Sequence, residues 1–320
     1  MNLLNFQLLL GNDLLTNFVD NMDVYFIMIV ALAFLAIGDL VVGVSNDAVN
    51  FLNSALGSKA ISVRKIMILA SLGVLVGSVF SSGMMEVARK GIFNPEMLLF
   101  SEIMIIFMAV MITDILLLDF FNTLGLPTST TVSIVFELLG AAVAVSLIKI
   151  SGLGSEFGDL VNYINVEKAS QIILGILLSV FIAFSIGALV QFIARTLLSY
   201  NYEQKSKWVG SVFGGVALTS ISYFILMKGI KGTSFAKESY DLLDGATISS
   251  FLETEVFMIS LVSFVLLSLI SYILIFSFRV NIYKLIIGVG TFSLALAFAG
   301  NDLVNFIGVP IAAWQSYEAW

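Results

Sequence analysis

The chain has 320 residues, of which 59% are hydrophobic and only 12% charged, with a formal net charge of −7 and a mean hydropathy of +1.04. A soluble domain carries about 25% charged residues, so this composition excludes an ordinary soluble protein and makes lipid the solvent over much of the surface. With no Cys and no His, disulfides, thiolate chemistry and imidazole acid–base work are excluded, which leaves carboxylates, amides and hydroxyls.

The opening residues contain Asp13, Asp20 and Asp23 among apolar positions, and the first cationic residue is Lys59. That is not a signal peptide, which needs a basic start; a short interfacial helix or a frayed tail is expected. Eight apolar segments then follow, at about 24–44, 66–88, 97–119, 130–150, 169–195, 209–228, 256–277 and 284–300. Each approaches the roughly 20 residues that a membrane helix needs. Polar loops are expected at 150–168 and 229–254. Lys59, Arg64 and Lys65 place the first loop in the cytoplasm by the positive-inside rule, although the alternation through all spans leaves no net bias. The chain reads as one all-α polytopic membrane domain over 1–320, in the cell (inner or plasma) membrane. No basic patch interleaved with aromatics suggests nucleic acid.

The first and last segments run into the same pattern. Asn46-Asp47-Ala48-Val49-Asn50-Phe51 and Asn301-Asp302-Leu303-Val304-Asn305-Phe306 share N-D-x-V-N-F. An Asp at the centre of a membrane helix costs roughly 2.5–3.5 kcal/mol on insertion scales, so a doubled motif implies water, an ion or a ligand. Residues four apart share a helix face, so Asn46 and Asn50 cluster with Asp47, as do Asn301 and Asn305 with Asp302. The plainer alternative is interhelical hydrogen bonding. An odd number of reversals separates the two copies, which predicts antiparallel motif helices and an inverted repeat with a shared midplane site. The first repeat would occupy about 24–200, and an incomplete second one about 209–320.

Leu126-Pro127-Thr128-Ser129-Thr130-Thr131 precedes another apolar run. Pro in the first turn and hydroxyls at the cap start a helix. Such a start inside a membrane offers free N–H groups and a positive dipole end to an anion. Four further acidic residues fall in or beside spans: Asp39, Asp114, Asp119 and Glu137. Asp39 could line an access path, and Asp119 and Glu137 could join a cation or proton relay.

Together these motifs resemble the inorganic phosphate transporter (PiT) family, whose two inverted halves each carry G-A-N-D-V-A-N-A and L-P-V-S-T-T-H-S. Ser45 to Asn50 and Gly300 to Asn305 are similar to the first motif, and Leu126 to Ser133 to the second. The resemblance implies an inverted-repeat transporter with broken motif helices and a re-entrant or half-helix Ser-Thr-Thr element. It implies cation-coupled symport of inorganic phosphate, with Na⁺ or H⁺ as coupling ion and no other cofactor. Asp47, Asp302, Ser129, Thr130 and Thr131 would bind phosphate. Asn46, Asn50, Asn301 and Asn305, with both Asp residues, would hold the cation.

Three departures stand out. Val132 replaces the family His, Ser45 replaces Ala, and Trp320 follows the second Asn-Asp motif before any second Ser-Thr-Thr run. A fragment of a longer protein is therefore expected. Competing readings are a permease for another oxyanion such as sulfate, or a non-transporting membrane subunit; a homodimer is also open. An enzyme is not expected. Ala36-Ile37-Gly38-Asp39 lacks the first Gly of an intramembrane aspartyl protease motif, and the Tyr240-Asp241 pair falls in a polar loop.

Overall fold

In lipid each backbone N–H and C=O must find a partner within its own segment, so long apolar runs become helices. The computed structural model describes residues 23–79, 91–154, 156–198, 207–227, 235–240 and 245–320, without the side chains of 235, 301 and 304. The expected N-terminal interfacial helix, residues 80–88 of the second span and much of the 229–254 loop lie outside these residues.

In chain order the helices are α1 (Val24–Ser58), α2 (Val63–Val79), α3 (Phe100–Leu124), α4 (Thr130–Leu153), α5 (Val166–Leu197), α6 (Lys207–Ile225), α7 (Ile248–Thr254), α8 (Val256–Phe276), α9 (Ile282–Asn301) and α10 (Leu303–Ala319). Short 3₁₀ turns and a single helical turn, Leu160–Tyr163, fill the 150–168 connection. Among the described residues no strand forms, and only two isolated bridges occur, Phe93 with Ile164 and Ser239 with Thr247. Seven stretches of described helix are long and apolar enough to cross a membrane, with α9 and α10 counted as one 38-residue stretch. The chain is thus an all-helical, multi-pass membrane protein.

Helix ends follow local chemistry. The Asp23 carboxylate caps α1 by accepting from Tyr25 N–H at 2.9 Å. Gly125 closes α3 and Gly154 closes α4, each at φ +68°, where a Cβ would be strained.

Packing between helices cannot rest on hydrophobic exclusion, since lipid is as apolar as Leu; close contact between small residues does that work instead. In α2, Gly73 and Gly77 form a G-x-x-x-G face against α9, where added Cβ atoms would run into the Phe292 and Leu296 carbonyl oxygens. Sequence reading passed over this pair. Around α1, α3, α4 and α10 a second contact zone buries Leu32, Met104, Met111, Leu138, Val309 and Ala313. By contrast α5 buries none of its apolar window, and Phe181, Phe184 and Phe192 are largely exposed along it. These side chains suit contact with lipid.

One expectation is corrected in part. The first motif lies inside an unbroken helix, since α1 runs 35 residues through Asn46 and Asp47, about 52 Å at 1.5 Å per residue. The second motif helix is broken, with Asp302 (φ −93°, ψ −30°) separating α9 from α10. The copies differ just before the motif, where Ser45 occupies the place of Gly300. Ser45 donates back to the Val41 carbonyl at 2.7 Å and keeps the turn, whereas Gly is about 1 kcal/mol worse than Ala in a helix interior. The Ser-Thr-Thr element likewise opens a 24-residue helix rather than a half-helix.

Candidate functional site

The site assembles where the start of α4 meets α1 and the break between α9 and α10. Ser129 is the N-cap of α4, and its hydroxyl accepts from Val132 N–H at 3.4 Å. Pro127 stands two residues ahead of that cap, outside the first turn where it was expected.

The next two residues split between the motifs. The Thr130 hydroxyl donates to Asp47 Oδ2 at 3.2 Å, and the Thr131 hydroxyl donates to Asp302 Oδ1 at 3.1 Å. Each carboxylate also has its motif Asn nearby. Asn50 Nδ2 donates to Asp47 Oδ1 at 3.3 Å, while Asn305 Nδ2 donates to Thr131 Oγ1 at 2.8 Å. Asp47 and Thr130 are buried, and Thr131, Asp302 and Asn305 are half-buried. Thr130 and Thr131 are consecutive, so Asp47 and Asp302 meet at the same helix start. Two neighbouring hydroxyls on one helix start therefore hold two like-charged groups from opposite ends of the chain.

Asn46 does something different from its motif partners. Its amide donates to Asn122 Oδ1 at 2.9 Å and to the Leu126 carbonyl at 3.3 Å. Its Oδ1 accepts from Thr128 N–H at 2.8 Å. Asn122 in turn donates to the Val42 carbonyl at 2.9 Å. This part-buried network pins the loop ahead of α4 to α1. Asn122 was missed in the sequence, and its only signal was an amide in the last turn of an apolar span. The Asn301 side chain lies outside the described residues.

Among the acidic residues weighed beside the motifs, Asp39 and Asp114 are fully buried and Glu137 is half-buried. Asp119 is exposed near the end of α3 and takes no part. Ser133, one turn into α4, contacts Asp114 Oδ1 at 2.6 Å and Glu137 Oε1 at 2.7 Å. Among the described residues no group of three or more acidic residues has the geometry to hold a metal ion.

The fold and site thus define a multi-pass α-helical membrane protein in which two acidic motif helices meet one hydroxyl-rich helix start. Residues 43–319 match the model of the phosphate transporter family; the chain belongs to that family, which is one of transporters and not of enzymes.

A protein of Pyrococcus furiosus, provisionally named a phosphate permease, is 26% identical over 273 residues, 84% of this chain and 61% of its own length. One of the same provisional name from Thermococcus kodakarensis is 25% identical over 198 residues, 58% of this chain and 44% of its own. The chain therefore spans less than two thirds of the length of these relatives. A solved structure titled "The sodium-dependent phosphate transporter" shares the fold with a TM-score of 0.62 at 20% identity, over 91% of this chain and 68% of that one.

Proposed function

We propose that the chain takes part in cation-coupled symport of inorganic phosphate, with Na⁺ as the coupling ion. The observation that carries this reading is the paired arrangement of Asp47 with Thr130 and Asp302 with Thr131 at the start of α4. The helix start supplies N–H groups and a positive dipole end for the anion. Two carboxylates beside that anion repel it unless a cation bridges them, which makes anion and cation binding mutually dependent. Asp47, Asp302, Ser129, Thr130 and Thr131 are assigned to phosphate. Asn50, Asn301 and Asn305 are assigned with the two Asp residues to the cation, a hard ion suited to oxygen ligands. For Asn46 the loop network favours a positioning role.

The name of the structural neighbour supports Na⁺, and the family and permease names support phosphate. The two motif helices are assigned to a first repeat of about 24–200 and an inverted second one beginning at about 209. Labelled phosphate uptake into proteoliposomes tests the reading. Uptake should follow an imposed Na⁺ gradient, resist excess sulfate, and fall at least tenfold in Asp47→Asn and Asp302→Asn. Normal transport by both variants sinks the site assignment; competition by sulfate transfers the site to another oxyanion.

A further inference from the structure

A second polar centre lies deeper along α1, built from groups that the phosphate site does not use. Asp39 of α1 and Asp114 of α3 are fully buried and Glu137 of α4 is half-buried, with α3 packed against both α1 and α4. Ser133 sits between the last two, at 2.6 Å from Asp114 and 2.7 Å from Glu137.

Hydrogen counting decides what this centre holds. A hydroxyl has one proton to give, and both Ser133 contacts have the length of a strong O–H···O⁻ bond, about 2.5–2.7 Å. Ser133 donates to one carboxyl and must accept from the other. The side chain of Asp39 is wholly buried, and no hydroxyl, amide or cationic donor among the described residues reaches either of its oxygens. Asp114 Oδ2 and Glu137 Oε2 are likewise buried without such a donor.

Among the described residues no cation of the surrounding elements balances the cluster. Lys149, the cation of α4, lies about three turns beyond Glu137 and is engaged with Glu102 at 2.9 Å. The acidic groups within range are Asp47 of α1 and, facing Asp47, Asp302 at the helix break. α10 brings apolar Val309 and Ala313 to this zone. A cavity of about 540 Å³ between α3 and α4 reaches the cluster, with Thr113, Thr128, Ser133 and Glu137 in its wall.

We propose that Asp39, Asp114, Glu137 and Ser133 form a proton-binding site inside the membrane domain, separate from the Asn-Asp site and reached through the cavity at Glu137. The ligand is a proton, which binds a carboxylate oxygen and leaves through the same opening, where Thr113, Thr128 and Ser133 stand among apolar Leu117, Val132 and Phe136. Because the site is defined without phosphate, it stands or falls independently of the transport reading.

Infrared difference spectroscopy on the purified full-length protein in nanodiscs tests this. The carboxylic-acid carbonyl band should be present near neutral pH and should shift in D₂O. It should lose intensity in Asp114→Asn and Glu137→Gln, and shift in Ser133→Ala, which keeps all three carboxyls and covers the case in which an acidic variant fails to fold. Asp119→Asn, an exposed change, should leave the band as it is. A spectrum without the band, a band indifferent to all three substitutions, or one that appears only when Na⁺ is withdrawn overturns the proposal, the last by giving the cluster to a metal cation.

Discussion

Thr131 donates its hydroxyl proton to Asp302 at 3.1 Å and accepts a hydrogen bond from Asn305 at 2.8 Å, so one small side chain serves two residues of the second motif. Removing it takes a donor from Asp302 and an acceptor from Asn305, in a place where neither is fully solvated. A buried hydrogen bond to a charged group contributes about 1.5–3 kcal/mol. Thr131→Val, which keeps the shape, should therefore weaken apparent phosphate or Na⁺ affinity roughly 10- to 100-fold, read as the concentration dependence of uptake. Thr131→Ser should restore most of the loss.

The two motif helices also touch through packing. Phe306 is fully buried, and a Cβ at Gly43 would overlap its ring. Overpacking of this kind costs about 1–3 kcal/mol. Gly43→Ala should lower the Tm of the purified protein, and Phe306→Leu should recover part of the loss when the two are combined. A double-mutant cycle that comes out additive disproves the contact.

In α2, substitution of Gly77 by Leu must separate the helix from the α9 backbone, because the Leu296 carbonyl occupies the space. Poor folding yield or a large drop in Tm is expected. Gly57→Ala in α1 meets nothing within 4 Å and should be neutral or slightly stabilising. Equal effects at the two positions refute the close α2–α9 approach.

At the membrane edge the Tyr317 hydroxyl donates to Asp23 Oδ2 at 2.6 Å. That bond, aided by backbone donors at Tyr25 and Phe26, holds the Asp23 carboxyl below its ordinary value of 3.8. A depressed carboxylate stabilises the fold above its unfolded pKa and loses that effect as pH falls through the lower folded value. Tyr317→Phe should therefore lower Tm at pH 7, and the difference from wild type should fade on acidification below pH 3.8. A Tm difference unchanged across that range argues against the bond.

Much of the site was legible because lipid makes polar residues conspicuous. Asn-Asp pairs and a hydroxyl run stand out against apolar spans, and the structure sets Thr130 against Asp47 and Thr131 against Asp302 and Asn305. The helix bounds were readable for the same reason, as α4 and α8 show. Continuity of α1 was not readable, because the broken motif helices came with the family resemblance, whereas Asn46 and Asp47 find partners on neighbouring elements without a break in α1. The use of Asn46 to hold a loop was hidden too, since its partners Asn122, Leu126 and Thr128 are 76 to 82 residues away. Gly73 and Gly77 escaped notice because a small residue carries no polar signal.

The side-by-side placement of Thr130 and Thr131 has a mechanical consequence. Consecutive residues on a helix point about 100° apart, so the first turn of α4 works as a two-pronged latch, with one prong in α1 and the other at the α9–α10 joint. The first turn of α4 is thereby tied to both acidic helices at once, and any shift of either helix away from it gives up one of the two bonds.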